Sequence, residues 1–242
     1  MMKLSTFAKG IRRRLFANRE SSYGALRDPK FRKAYMIGQH SGRFRHIPFG
    51  DPDLHLDFHA YLECWGAGQG LSLPGDFVFC GVNTGMMPLT VCHYLDINKT
   101  GKTVWLFDTY NGIPIEQISE REQMLDRASI NESYPECFER TKKNFAPFPR
   151  AHLVRGKVPD TLPTVPIDAV SYLSIDMNIA YPERAAIEYF WPKLSPGAVV
   201  ILDDYGQPDH DDQRTTMDEF AATKKLKFVT LPTGQGMIVK LS

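Results

Sequence analysis

The sequence is short of several things, and each shortage removes a class of function. No apolar run approaches the ~18–20 residues a membrane span needs. Cysteine is scarce: Cys64, Cys80, Cys92 and Cys137 are scattered, with no C-x-x-C pair. That spacing demands neither zinc nor disulfides and points to a reducing compartment, the cytoplasm. Cys80 and Cys92 lie inside apolar runs, where a free thiol behaves as a small hydrophobe. Neither sign of charge is in excess. Lys and Arg number 29 against 28 Asp and Glu, a net charge of +1, so nothing draws the whole chain to nucleic acid or a membrane surface. The dinucleotide pattern G-x-G-x-x-G is missing, which argues against a nicotinamide cofactor. Internal repeats, low-complexity linkers and a convincing second domain are missing too.

What is there fits one full-sized α/β domain with decorations: 242 residues, 43% hydrophobic and 24% charged. The start differs from the rest. MMKLSTFAKGIRRRLFANR carries Lys3, Lys9, Arg12, Arg13, Arg14 and Arg19 and no acid. It lacks the unbroken apolar core of a secretory signal. An organelle address or a membrane-surface helix would suit it, and more simply a solvated leader helix.

Residues 1–50 hold no clean strand, and DPKFRKAYMIGQHSG reads as a short helix stopped by glycines. HLDFHAYLECWGAGQGL spaces Phe58, Leu62 and Trp65 for one face of a packed helix. Beyond it, short apolar runs alternate with helical stretches: 75–82, 102–110, 151–156, 168–176 and 197–204. Strands apolar on both faces mean a parallel sheet covered on both sides. One intervening helix spans 182–194, with Pro182 in its first turn and a stripe of Ala186, Ile187, Phe190, Trp191 and Leu194. The last two runs, KFVTLP and GMIVKL, are joined by TGQ, too short for a parallel crossover, so they form an antiparallel hairpin. The expected fold is a doubly wound, mostly parallel seven-stranded sheet with a C-terminal hairpin. A helical extension (1–70) precedes the main domain (71–242).

In such sheets ligands bind beyond the carboxyl ends of the strands. The polar residues there are Gly81 to Gly85, Asp108, Asp176, Asn178, Asp203 and Asp204. In CGVNTGM, Gly81 and Gly85 flank a strand-to-helix turn, which is either a binding loop or a structural turn. Asp108 can accept hydrogen bonds from both hydroxyls of a ribose, or cap the turn DTYNG. VVILDDYG raises a sharper question, because two adjacent carboxylates end a run apolar enough for the middle of a sheet. With Asp176 they would repel strongly if left bare; a hard divalent cation resolves that, as would helix caps or pairing with Arg184, Lys193 or Arg214. His210 could reach the same edge as a base or donor, or sit in an exposed loop. His59 reads as a packed, hydrogen-bonded histidine, and TKKNF as a solvated face.

Taken in order, GDFVFCGVNTG, VWLFDTYNGIP, GKVPDTLP, YLSIDMN, LSPGAVVILDDYG and DEF resemble the macrocin O-methyltransferase (TylF-like) family of class I S-adenosylmethionine-dependent methyltransferases. The resemblance covers roughly 75 to 240 and implies a Rossmann-like fold acting on sugar hydroxyls. It implies that Gly81, Val82, Asn83, Thr84 and Gly85 line the methionine part of the cofactor, that Asp108 and Thr109 hold its ribose, and that Gly156 and Lys157 lie near the adenine. It makes Asp176, Asp203 and Asp204 magnesium ligands. Asp176 is also a cofactor contact and the candidate general base, with His210 the second catalytic candidate. Three positions depart from the family pattern. Phe79 stands where the family has a glutamate supporting the cofactor's polar end, Asn178 replaces the second acid of D-x-D, and Lys157 replaces an acid. The expected activity is metal-dependent O-methylation of a sugar, glycoside or polysaccharide precursor. The alternatives are a protein that binds S-adenosylmethionine without methyl transfer, or a structural, partner-binding α/β domain. The expected partners are a small-molecule or glycan acceptor and no nucleic acid; the resemblance allows a homodimer.

Overall fold

The computed structural model describes residues 27–42 and 56–241. The basic start of the chain and residues 43–55 lie outside the described residues. All seven expected strands form one sheet, in the order β3-β2-β1-β4-β5-β7-β6. They are β1 (Asp76–Cys80), β2 (Val104–Asp108), β3 (Ala151–Arg155), β4 (Val170–Ile175), β5 (Leu194–Leu202), β6 (Val229–Thr230) and β7 (Gly236–Val239). The first five are parallel; β7 runs antiparallel to β5 and to β6. The closing hairpin therefore enters with its second strand against β5, leaving two-residue β6 at the edge. Strand order reverses between β1 and β4, which opens a crevice beyond their carboxyl ends.

Alternation along each strand builds two cores. Phe77, Phe79, Tyr172, Val199 and Ile201 face one side. Val78, Cys80, Leu173, Ile175, Val200 and Leu202 face the other. Helices α1 (Pro29–Gln39), α2 (Leu56–Gly70) and α3 (Met86–Tyr94) supply the first layer. Asp28 caps α1, its Oδ1 accepting the amide hydrogen of Lys30 at 2.8 Å. Helices α4 (Glu120–Met124) and α5 (Phe138–Phe145) lie between β2 and β3; Lys142 and Lys143 on α5 are exposed. Helices α6 (Ala180–Phe190) and α7 (Asp211–Thr223) cover the opposite face. The helical stripe ends earlier than its spacing suggests: Trp191 begins a 3-10 turn and Leu194 opens β5.

Helix α2 differs from the sequence expectation. Trp65 is 41% exposed, and the buried face carries His59, Ala60, Glu63, Cys64, Ala67 and Gly70. The reason is close approach to the sheet. A Cβ at Gly66 would sit 2.9 Å from the Tyr172 ring, and one at Gly70 only 2.5 Å from the Ser171 carbonyl oxygen. Small residues let the helix lie down on β4 and β5, and the large apolar ones are turned aside. All four cysteines are buried free thiols. Among the described residues no helix is long and apolar enough to cross a membrane.

Candidate active site

A cavity of about 1000 Å³ opens beyond the carboxyl ends of β1, β4, β2 and β5. Its glycine end is built by close contact. Gly81 has φ +90°, and a Cβ there would lie 1.7 Å from the Asp176 carbonyl oxygen, so β1 and β4 meet only because this residue has no side chain. Gly85, φ +101°, is the N-cap of α3 and packs on the Phe145 ring rather than lining the cavity. Between them Val82, Asn83 and Thr84 line the cavity. Thr84 Oγ1 also shares a 2.8 Å hydrogen bond with Ser41.

Asp108 lines the same space, with its carboxylate already holding the loop. Oδ2 accepts from the backbone N–H groups of Val82 (2.6 Å) and Asn83 (2.7 Å), and Oδ1 from that of Tyr110 (2.6 Å). The turn-capping option is thus visible; Thr109 Oγ1 stands 3.4 Å from Oδ1 at the fourth of the roughly four lone-pair sites, and a ligand at Asp108 would take the place of that weak contact. Thr109 and Gly156 line the cavity; Lys157 does not. The Lys157 ammonium points outward to Glu116 at 2.5 Å, which holds the lysine above its ordinary pKa, and Val158 takes its place on the wall.

The acid end answers the question of the adjacent carboxylates. Carried past the end of β5, strand alternation sends Asp203 toward the α2 side and Asp204 toward the other. One oxygen from each of Asp176, Asp203 and Asp204 lies within 4.8 Å of the others. Arg184, Lys193 and Arg214 are engaged elsewhere, with Glu188, the Ile167 carbonyl and Asp218 respectively. The cations that face the cluster come from places the sequence reading did not assign to it. His59 on α2 donates from Nδ1 to Asp203 Oδ1 (2.8 Å) and from Nε2 to the Thr233 carbonyl (3.0 Å). Both ring nitrogens face acceptors, so the imidazolium satisfies both. Burial pulls this group down, but the Asp203 carboxylate outweighs burial and it is pushed up to about 9. Gln235 Nε2 adds a 2.9 Å hydrogen bond to the same Asp203 oxygen.

His210 does reach this edge: its side chain is 13% exposed and its Nε2 is 3.5 Å from Asp204 Oδ1. Its proton is assigned by its neighbours. Nδ1 donates to the Pro208 carbonyl (2.8 Å), and Nε2 accepts from Arg127 Nη1 (3.1 Å), which can only donate. Burial and the Arg127 charge hold this histidine below its ordinary pKa, and its free lone pair is occupied by Arg127. Asp204 is pushed well above the usual carboxylate range by burial and by Asp176 and Asp203. Asn178, at φ +62°, donates from Nδ2 to Asp176 Oδ1 at 3.4 Å. Behind the loop, Glu183 accepts from the Met177 amide at 3.2 Å, and Glu122 accepts from that of Ala180 at 2.8 Å. The buried Glu63 carboxyl also reaches the cavity wall.

His59 is the packed, hydrogen-bonded histidine that the sequence suggests, though its partner is the acid cluster; together with Glu63, Gln117, Arg127 and Gln235 it is among the site residues the sequence did not assign to the site. A signal for two of them existed. In HAYLE, a histidine and a glutamate four apart share one face of an otherwise apolar helix. Arg127 and Gln235 had no such signal, because one opens a 3-10 helix with no buried residues and the other lies in the loop before β7.

The sequence profile of the Macrocin-O-methyltransferase (TylF) family matches residues 64–230, from within α2 through β6. The chain belongs to this family. Among its relatives, Demethyldecarbamoylnovobiocin O-methyltransferase of Streptomyces niveus is 30% identical over 145 residues, 56% of this chain and 55% of the relative. Mycinamicin III 3''-O-methyltransferase of Micromonospora griseorubida is 25% identical over 149 residues, 56% and 57% of the two chains. The matched region thus spans about half the length of these curated relatives. The solved structure of the O-methyltransferase NovP superposes with a TM-score of 0.67 at 23% identity, over 76% of this chain and 80% of that one. That likeness establishes the Rossmann-like methyltransferase fold.

Proposed function

We propose that this family member is a metal-dependent O-methyltransferase that moves a methyl group from S-adenosylmethionine to a hydroxyl of a sugar or glycoside. The supporting observation is that three buried polar side-chain atoms with no hydrogen-bond partner among the described residues belong to residues that line this cavity. Asn83 Nδ2 is in the glycine loop, Gln117 Oε1 is beside Val158, and Asp204 Oδ2 is in the acid cluster. Buried polar atoms left unsatisfied are costly, and a ligand that partners them relieves the cost. About 1000 Å³ is room for a cofactor with an acceptor beside it.

The residues present fit both absent groups. The Gly81–Thr84 loop, Asp108 and Gly156 would hold the cofactor. When bound it supplies a methyl group on a positively charged sulfur, the electrophile for an acceptor oxygen. Asp176, Asp203 and Asp204 offer hard oxygen ligands suited to magnesium, whose charge would lower the pKa of a neighbouring hydroxyl. Asp176 stands at the junction of the two halves and is the group to take the hydroxyl proton. His59 fixes Asp203, and Arg127 occupies the lone pair of His210, so His210 holds the Arg127 charge near Asp204 rather than acting as a base. Holding acceptor and donor in line supplies much of the rate; general base catalysis adds about 10²–10⁴-fold.

The test is methyl transfer from S-adenosylmethionine to glycoside acceptors. Activity is expected to vanish in excess EDTA, to return with magnesium, and to fall at least ~100-fold in Asp204→Asn. Full turnover in EDTA removes the metal. Cofactor binding without turnover on any acceptor supports the non-transferring alternative, which Phe79 keeps open: it is 1% exposed, packs on Tyr172, and leaves β1 with no acid at this point.

A further inference from the structure

Helix α2 contributes a second ionisable group that the proposed function does not use. Glu63 lies one turn after His59 on the same face, is 1% exposed, and reaches the cavity. Its partners are two neutral hydroxyls: Oε1 accepts from Ser174 Oγ at 3.0 Å, and Oε2 from the Tyr172 hydroxyl. The neighbouring cation, His59, is spent on Asp203 and Thr233. A carboxylate this deep without a cation is expensive to keep. Each of its oxygens retains a lone pair.

Position tells what it could meet. By strand alternation Ser174 and Asp176 project from the same side of β4, so the hydroxyl that Glu63 binds is set roughly 6–7 Å back along the strand from Asp176. Ser174 pairs across the sheet with Phe79, whose strand runs on into Gly81. The Glu63 carboxyl therefore lies beside the point where β1 and β4 touch, under the loop that would hold the methionine half of the cofactor. The cofactor has two positive centres. The sulfonium has no hydrogen to donate, whereas the α-ammonium has three and can use the remaining lone pairs.

We propose that Glu63 is the seat of the α-ammonium group of S-adenosylmethionine, supplied from helix α2 where Phe79 leaves the strand without a carboxylate. This rests on the cofactor reading above. The two can be separated by comparing S-adenosylhomocysteine, which carries the ammonium, with 5′-methylthioadenosine, which lacks the amino-acid part. In calorimetric titrations of the full chain, Glu63→Gln is expected to weaken S-adenosylhomocysteine about 10- to 100-fold and to leave 5′-methylthioadenosine within about twofold. Equal losses for both ligands, or no loss for the first, would overturn the assignment. A wild-type protein that binds neither would overturn the cofactor reading itself. Should the glutamine variant not fold, Glu63→Asp keeps the charge but withdraws it, and it must show the same selectivity to a smaller degree.

Discussion

The same substitution, Glu63→Gln, should make the protein more stable, and by an amount that depends on pH. Burial pushes the Glu63 carboxyl from 4.5 to about 8. The Tyr172 and Ser174 hydroxyls pull it back only in part, and the Asp203 charge adds to the rise. Below pH 4.5 the proton is bound in both folded and unfolded chains, and the group contributes nothing to the difference. Between 4.5 and 8 the unfolded chain gives up the proton while the folded one keeps it. Stability therefore falls by about 1.4 kcal/mol per pH unit, reaching roughly 5 kcal/mol, and is level above 8. Glutamine does not titrate. Both its neighbours are hydroxyls, which can rotate to donate to its oxygen or accept from its nitrogen. Burying the amide takes back part of the gain, so the expected advantage at pH 8 is about 2–4 kcal/mol, roughly 5–15 °C in Tm for a chain of this size. The assay is thermal unfolding by circular dichroism of ligand-free, metal-free wild type and variant from pH 4.5 to 9. His59 titrates in the same direction in both proteins and largely cancels in their difference. A difference that stays flat with pH, or is greatest at pH 4.5, refutes the assignment of a neutral, buried carboxyl to Glu63.

Two other substitutions probe the frame of the site. Gly81→Ala puts a Cβ 1.7 Å from a backbone oxygen at a φ of +90°, so it should cost more than ~4 kcal/mol and show as insoluble protein or an early denaturant midpoint; a wild-type midpoint would mean β1 and β4 do not meet this closely. Lys157→Ala removes only an exposed pair with Glu116, so Tm and S-adenosylhomocysteine affinity should both be unchanged, and a clear loss of affinity would return Lys157 to the adenine end.

The parts of this molecule legible in its sequence are those governed by period and by punctuation. Each buried strand is an apolar run that ends in a polar residue, and the parallel architecture follows from runs apolar on both faces. Even the hairpin followed from a three-residue linker. The acid cluster was legible for the same reason, since Asp176, Asp203 and Asp204 terminate adjacent strands. Two things were hidden. The orientation of α2 is set by Gly66 and Gly70 against Tyr172 and Ser171, a contact distant in sequence, so the large apolar residues misled and the small ones decided. The partners of the acids come from α2, from the 3-10 turn that Arg127 opens and from the loop that carries Gln235, where no apolar periodicity speaks.

That hidden part sets the electrostatics of the acid cluster. Asp203 and Asp204 are neighbours in the chain but face different groups on opposite sides: Asp203 the His59 imidazolium, which donates to it, and Asp204 the lone-pair edge of His210, which does not, with the Arg127 charge behind that ring. These partners differ in kind. The first delivers a full charge directly to its carboxylate, whereas the second delivers a neutral ring nitrogen 3.5 Å away, with the guanidinium one residue further back. Asp204 is consequently the acid left short, with one buried oxygen, Oδ2, that nothing in the described protein contacts by hydrogen bond. A cluster balanced wholly from within would have no use for a metal. This one is balanced on the α2 side and open on the other, which places the demand for a cation at Asp204 and makes the Asp204→Asn variant, rather than a change at Asp203, the sharper test of metal dependence.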